Sequence, residues 1–391
     1  MRRVNEAAVY RALARAALLA GVSVATVLTP IVRSEAQQAA GLAPAAESGR
    51  QSAPPSSKPS SKPIVPAVDN EKLKSLDEKP ADAPPVAPRK LDGAELKRLI
   101  ALVDTGSTDE RNEATKTLAE AEPKSLEPAV ADLARIVDQD RDQSRRHAIF
   151  LLGVVGPGAK PALPALKKML RHEDFHTQYW TCRTLAKMGD AALEAVPDLT
   201  DQLRAQTASV RRNAALAIGQ LGPKCGEQVV SPLTNCLKDR QQMVRSDAAT
   251  ALGKLGAVAM PAVPALREAA RDPNRAIRSQ SALAVWRLTK QTDDVLEPLL
   301  AELASLDAPW DAADALNEVG PAAAPLVPKV RALLKSPDAE TRAYAAQVLG
   351  GIGPEARVAL AELKKIAAND DEDEDALEAA RDAVKKLETV K

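Results

Sequence analysis

The chain has 391 residues, 45% of them apolar and only 2% aromatic, and its acidic and basic side chains balance to a formal charge of +0. That is enough for a sizeable core, which must be built from Ala, Leu, Val and Ile, while a neutral total excludes bulk attraction to nucleic acid or to a membrane surface. Cys182, Cys225 and Cys236 are too few, and odd in number, for a disulfide framework.

Residues 1–36 read as a signal. Arg2, Arg3, Arg11 and Arg15 precede the apolar run Ala16–Val32, and Ser34-Glu35-Ala36 offers small residues for a signal peptidase, with cleavage before Gln37. The expected location is the periplasm or envelope. An uncleaved N-terminal anchor is the alternative, since about 17 apolar residues can just span a bilayer, and an ordinary amphipathic helix is the third reading. Residues 37–90 hold ten prolines among many Ser, Ala and Lys, as in SAPPSSKPSSKP. Such a stretch buries too little apolar surface to offset its ordering entropy, so it reads as a disordered linker.

Residues 91–391 carry a repeat. Leu96, Leu99, Ile100 and Val103 give one helical face, with Asp92 as its N-cap, and form the terminal cap of a stack. The phrase VRRNAALAIGQLG (Val210–Gly222) then recurs as SRRHAIFLLGVVG (Ser144–Gly156), VRSDAATALGKLG (Val244–Gly256) and TRAYAAQVLGGIG (Thr341–Gly353), with weaker copies between, every 31 to 34 residues or so. Each copy, helix A, is followed by a second phrase, helix B, such as MPAVPALREAARDP (Met260–Pro273), with proline in its first turn. Units fall near 108–137, 141–171, 174–205, 207–238, 241–271, 274–305, 308–335 and 338–368. A charged helix from Asp375 to Val390 closes the chain, with Leu377, Val384 and Leu387 inward. Unit three has Gln178 where other units have arginine and is crowded with His172, His176, Tyr179 and Trp180; unit seven has Pro309 there, then Trp310. Both are expected to be irregular.

These phrases resemble the HEAT repeat, specifically the short bacterial class named after phycobilisome lyases. The resemblance implies an all-α, right-handed α-solenoid of about eight helix pairs between capping helices. It also implies a ladder of charged hydrogen bonds from the arginine heading helix A: Arg111, Arg145, Arg211, Arg245, Arg278 and Arg342. An acid often precedes the arginine, as Asp239 before Arg245, Asp272 before Arg278 and Asp338 before Arg342, and the ladder implied by the resemblance joins these residues between successive turns. Recurrence at the repeat period favours this structural role over anion binding. In HEAT stacks the B helices line the concave side, so Lys167, Lys168, Arg171, Arg204, Lys238, Arg267, Arg271, Lys329, Arg331, Lys335, Lys364 and Lys365 would form a mildly basic groove for an acidic partner. The competing reading is that these cations are solvated and partly neutralised by Asp198, Asp201, Asp239, Glu268 and Glu362.

No reaction is supported. His172-Glu173-Asp174-Phe175-His176 matches the spacing of a zinc-protease helix, but it falls in a turn between units and lacks a third ligand. The HEAT-type hydroxylase of deoxyhypusine uses four His-Glu pairs, and this chain has one, His172-Glu173. No residue singles out the chromophore transfer of bilin lyases. Asp370–Asp375 lacks the glycine and spacing of a calcium loop and reads as a solvated helix cap. Cys182 reads as a small core residue, and Cys225 and Cys236 lie in one unit where an oxidising compartment could join them. The expectation is a scaffold that binds a protein or peptide, without cofactor, metal or nucleic acid, touching a membrane only through an uncleaved N-terminus. The alternatives are a HEAT-type hydroxylase or lyase, and a structural spacer of the envelope.

Overall fold

A computed structural model describes residues 88–305, 310–369 and 371–389. Residues 1–36, read above as a signal, nearly all of residues 37–90, Pro309 and Asp370 lie outside the described residues. The chain divides into Met1–Arg89 and Lys90–Lys391, and every helix described below belongs to the second unit.

The first helix is α1 (Gly93–Thr105). Eight A–B pairs follow. They are α2 (Thr108–Ala119) with α3 (Val130–Val137), α4 (Asp142–Val155) with α5 (Leu163–Met169), α6 (Phe175–Met188) with α7 (Val196–Gln202), and α8 (Ala208–Leu221) with α9 (Val230–Cys236). Then come α10 (Gln242–Lys254) with α11 (Val263–Ala269), α12 (Arg275–Thr289) with α13 (Leu296–Leu303), α14 (Trp310–Val319) with α15 (Val327–Leu333), and α16 (Ala339–Ile352) with α17 (Leu360–Ala367). The last helix is α18 (Glu374–Thr389). The result is an all-α solenoid.

Local chemistry explains the boundaries. The Asp92 carboxylate accepts from the N–H groups of Ala94 and Glu95 at 2.9 and 2.8 Å and starts α1. Ser107 and Glu110 exchange side-chain and backbone bonds in a capping box at the start of α2. α8 ends at Gly222, whose φ of +71° only glycine adopts without strain. The chain then runs into a 3-10 turn before every short B helix except that of unit six, as in Gly156–Ala162 ahead of α5. Sequence periodicity reads the B phrase as one helix, but the structure splits it. Pro161 lacks the donor that a continuous α-helix would need, and the tighter turn tolerates it.

Two columns of side chains form the core. Leu118, Leu152, Leu185, Ile218, Leu252, Val285, Leu316 and Leu349 occupy one position of the A helices, and all are buried. Leu133, Leu166, Leu199, Leu233, Leu266, Leu299, Val330 and Leu363 do the same for the B helices. Each such side chain contributes about 1.5–3 kcal/mol when fully buried. The A helices approach closely because glycine faces alanine across the seam. A Cβ on Gly219 would lie 2.8 Å from the Ala251 Cα, one on Gly253 3.0 Å from Ala284 Cα, and one on Gly350 3.1 Å from Ala383 Cα.

That close seam changes one expectation. The buried face of α18 is Ala376, Ala380, Ala383 and Leu387, whereas Leu377 and Val384 are only half-buried. Gly350 admits a small residue opposite it, so alanines take the seam and the larger side chains flank it. The irregular units also differ from the sequence reading. Units three and seven keep the positive-φ glycine and the 3-10 turn, at Gly189–Ala195 and Gly320–Leu326. Unit six departs instead. Thr289 stands at the glycine position and stays helical; the left-handed turn falls one residue later, at Lys290, which holds φ at +56° and places its ammonium 3.8 Å from the Trp286 ring centroid. Unit three is unusual only in its side chains: Trp180 is buried against the Phe150 edge, with ring centroids 5.6 Å apart.

Candidate functional site

The six arginines that head the A helices all point into the turns between units. Arg211 is bidentate to Asp239, at 2.7 and 2.8 Å, and also donates to the Ala205 carbonyl at 2.8 Å. Arg245 repeats the pattern, donating to both Asp272 oxygens at 2.9 and 3.2 Å and to the Asp239 carbonyl at 2.9 Å. Arg278 donates to Glu302 at 2.6 Å and to the Asp272 carbonyl at 2.8 Å. Asp239 and Asp272 therefore each offer a carboxylate to the arginine one unit back and a backbone carbonyl to the arginine six residues on. The bonds run between successive turns, and Asp239 and Asp272 serve the preceding unit as anions. Asp338 instead caps α16 by accepting from Thr341 N–H at 2.7 Å, and Arg342 pairs with Glu372.

Burial alone pushes the Asp239 carboxyl up. Hydrogen bonds from Arg211 and the Gln241 N–H, with the charges of Arg211 and Arg245, outweigh burial and hold it below the usual range. Asp272 behaves likewise under Arg245 and Arg278. The first units use other partners, and Arg145 also pairs with Asp142 in its own first turn. Arg111 donates to Gln143 at 3.0 Å and Arg145 lies 3.0 Å from His172 Nε2. Gln178, in the arginine position of unit three, still reaches the His172 carbonyl at 2.8 Å.

The H-E-x-x-H stretch is therefore built into the inter-unit turn. His172 Nδ1 accepts from the Asp174 N–H at 3.1 Å, and Asp174 caps α6 through the N–H groups of His176 and Thr177. His176 stacks on Phe175, with centroids 3.9 Å apart. Among the described residues, no three His, Cys, Asp or Glu side chains are grouped to hold a metal ion. The three cysteines are free thiols.

Eight of the twelve cations of the B-helix face meet acids of neighbouring units. Lys167 and Arg171 reach Asp198 at 3.2 and 3.0 Å, and Lys168 reaches Asp138 at 3.2 Å. Lys238 pairs with Glu268 at 3.4 Å, Arg267 with Asp294 at 2.8 Å and Lys364 with Glu388 at 2.7 Å, while Lys329 pairs with Glu297 and Arg331 with Glu362. Asp239 belongs to the arginine ladder and neutralises none of them. Charge alternation along the chain produces the pattern: basic unit two lies between Asp138 and the Asp198/Asp201 pair, and basic unit seven between Glu297 and Glu362. Such exposed pairs contribute roughly 0–1 kcal/mol each, so they brace the face more than they stabilise it. Arg204, Arg271, Lys335 and Lys365 make no ion pair within 4 Å among the described residues; Lys335 only attracts Glu362 at longer range. The sequence pattern marks all twelve alike because it carries no distance between units.

Residues 133–215 and 196–287 match the family model for HEAT repeats. Over that stretch the solenoid is similar to HEAT repeats. No curated protein matches it in sequence. Among solved structures, the chain is similar to a designed armadillo repeat protein in complex with the peptide (KR)4, at 16% identity and a TM-score of 0.42, over 50% of this chain and 100% of that one. The E. coli protein YibA is similar at 16% identity and a TM-score of 0.47, over 69% and 98%. A Kap121p mutant is similar at 15% identity and 0.48, over 73% and 36%.

Proposed function

We propose that this chain is a non-enzymatic protein-binding scaffold that presents its HEAT stack to an acidic protein or peptide outside the cytoplasm. The observation that carries the reading is a column of exposed cations left over from the bracing pairs. Arg204, Arg271 and Lys335 end the B phrases of units three, five and seven, so they recur at every second unit. Neighbouring helices pack roughly 8–10 Å apart, which spaces these cations by about 20 Å. An extended peptide covers that distance in about six residues. A partner with a carboxylate at that interval would meet a free cation each time, while the paired cations between hold the face rigid. The basic start and apolar run of residues 1–36 support export. The phrases VRRNAALAIGQLG and AVPAL support the phycobilisome-lyase-like class of HEAT repeat.

The test uses the purified chain and a fluorescent 24-residue peptide with glutamate at every sixth position, read by anisotropy at low salt. Reversing Arg204, Arg271 and Lys335 to glutamate together is expected to weaken binding at least about tenfold. Reversing the paired Lys168 and Lys238 is expected to change it less than about threefold. Equal losses would assign binding to the whole basic face, and absence of wild-type binding would refute the acidic partner.

A further inference from the structure

α1 takes the place of a B helix. Arg111 Nε donates to the Val103 carbonyl near its end at 3.2 Å, just as Arg145 Nε donates to the Val137 carbonyl at the end of α3 at 3.2 Å. No A helix precedes α1 among the described residues. The described row of B helices therefore starts at α1, and beside it lies a cleft of about 570 Å³. The opposite wall is the 3-10 turn Pro123–Ala129 with the start of α3. That volume falls in the range of pockets that enclose a bound group.

The walls combine two chemistries. Leu96, Ile100 and Ala129, all buried, line the cleft together with Pro128. Lys90, Lys97 and Lys124 line it as well, and none of the three makes an ion pair among the described residues. Two carboxylates are present, and one of them, Asp132, lies 3.9 Å from Arg135 on its own helix. Glu122 alone is left against three ammonium groups. Register explains the surplus. Lys168 and Lys329 are each braced by an acid of the preceding unit, Asp138 and Glu297. α1 has no preceding unit among the described residues to supply one.

We propose that this cleft receives an apolar side chain of the partner, flanked by carboxylates that meet Lys90, Lys97 and Lys124. This rests on the acidic-partner reading above and gives that partner an anchor at one end of the B face. A buried apolar side chain in a pocket supplies affinity, while the charges around it set register and exclude wrong partners. A phosphate or a bare acidic run would use the lysines and leave the apolar wall empty. Arg204 lies three units along the stack, roughly 30 Å away at the usual helix spacing. One extended chain covers that distance in about nine residues, so the anchor and the cation column can serve the same partner.

The experiment titrates the full chain with a six-residue fluorescent peptide, Phe-Leu with two glutamates on each side, read by anisotropy. One control peptide has serines in place of Phe-Leu, and another has glutamines in place of the glutamates. Saturable binding at least about fivefold tighter than either control is expected. Gly93 also lines the cleft, with nothing within 4 Å of its would-be Cβ. Gly93→Phe can therefore fill the cleft without displacing the core, and is expected to weaken binding at least about tenfold. Lys97→Glu with Lys124→Glu is expected to do the same. No binding to the wild type, equal affinity for the three peptides, or unchanged binding in both variants would overturn the proposal. Serine at Ile64, Val65, Leu73 and Leu76 together should leave affinity unchanged; a gain of about fivefold or more would assign the cleft to the chain's own N-terminal segment and overturn the external anchor. Six extended residues span about 20 Å and cannot reach Arg204 from the cleft. Reversal of Arg204, Arg271 and Lys335 should therefore leave this peptide bound, so the cation column and the cleft fail separately.

Discussion

His147 lies buried on α4 with its Nδ1 2.8 Å from the Thr115 hydroxyl, and its Nε2 has no partner among the described residues. Burial, then the charges of Arg111 and Arg146, push its pKa down to about 3. An unfolded imidazole titrates near 6.5, so as pH falls the unfolded chain takes up the proton first. The contribution of the neutral ring is complete above about pH 6.5 and is lost by about 1.4 kcal/mol per pH unit on the way down to 3. His147→Asn keeps an acceptor for Thr115 without the titration, and its urea stability should vary less between pH 4 and 6.5 than that of the wild type. An unchanged acid limb would sink the idea. The thiols make a second prediction at this scale. Burial pushes Cys182 up to about 12, and Cys225 and Cys236 up to about 11. Cys225 lies against the Ile218 carbonyl and Cys236 against that of Leu203, at 3.6 and 3.7 Å, so each is engaged apart from the other. A thiol reagent at pH 8 should modify none of the three in the folded chain and all three in guanidinium.

At the scale of the helix, the seam between A helices reverses an ordinary preference. Glycine inside a helix is usually about 1 kcal/mol worse than alanine. At Gly219 an added Cβ would meet the Ala251 backbone, which cannot turn aside as a flexible side chain would. Gly219→Ala should therefore lower stability by about 1–3 kcal/mol, the usual cost of overpacking. Gly93 begins α1 with nothing within 4 Å of its would-be Cβ, and Gly93→Ala should be neutral or slightly stabilising. Thermal melts of both variants decide it, and a stabilised Gly219→Ala would show that the seam can relax. The seam also marks what was readable in the sequence. Val210, Ala214, Ala217, Ile218 and Leu221 announce their buried face through spacing alone, and all five are buried. The inward face of α18 was misread because spacing favours the largest apolar side chains, while close approach to Gly350 selects alanine. Lys290 escaped notice for a related reason: a lysine gives no sign of a left-handed backbone.

Across the whole stack, sequence spacing identified the arginines but not all of their partners. Asp239 and Asp272 sit in recognisable turn phrases, whereas Glu302 lies inside α13 and Glu372 in an acidic run that reads as solvated. Only assembly puts them opposite Arg278 and Arg342. The same holds for the B-helix face, where twelve similar cations became braces and remainders once the units were stacked. The ladder's energetics are also a property of the stack. A solenoid's stability is approximately a sum of units and nearest-neighbour interfaces. Arg245 joins two such interfaces, through Asp272 ahead and the Asp239 carbonyl behind, and removing it leaves a largely enclosed carboxylate without its cation. Arg245→Ala should cost about 1.5–3 kcal/mol, and the loss should be local. Hydrogen exchange should quicken in α8, α10 and α12, which meet around this turn, and change little in α2 and α4. A uniform rise along the chain would mean that the units unfold as one cooperative block. Protection retained throughout would mean that the leucine columns, and not the ladder, hold the units in register.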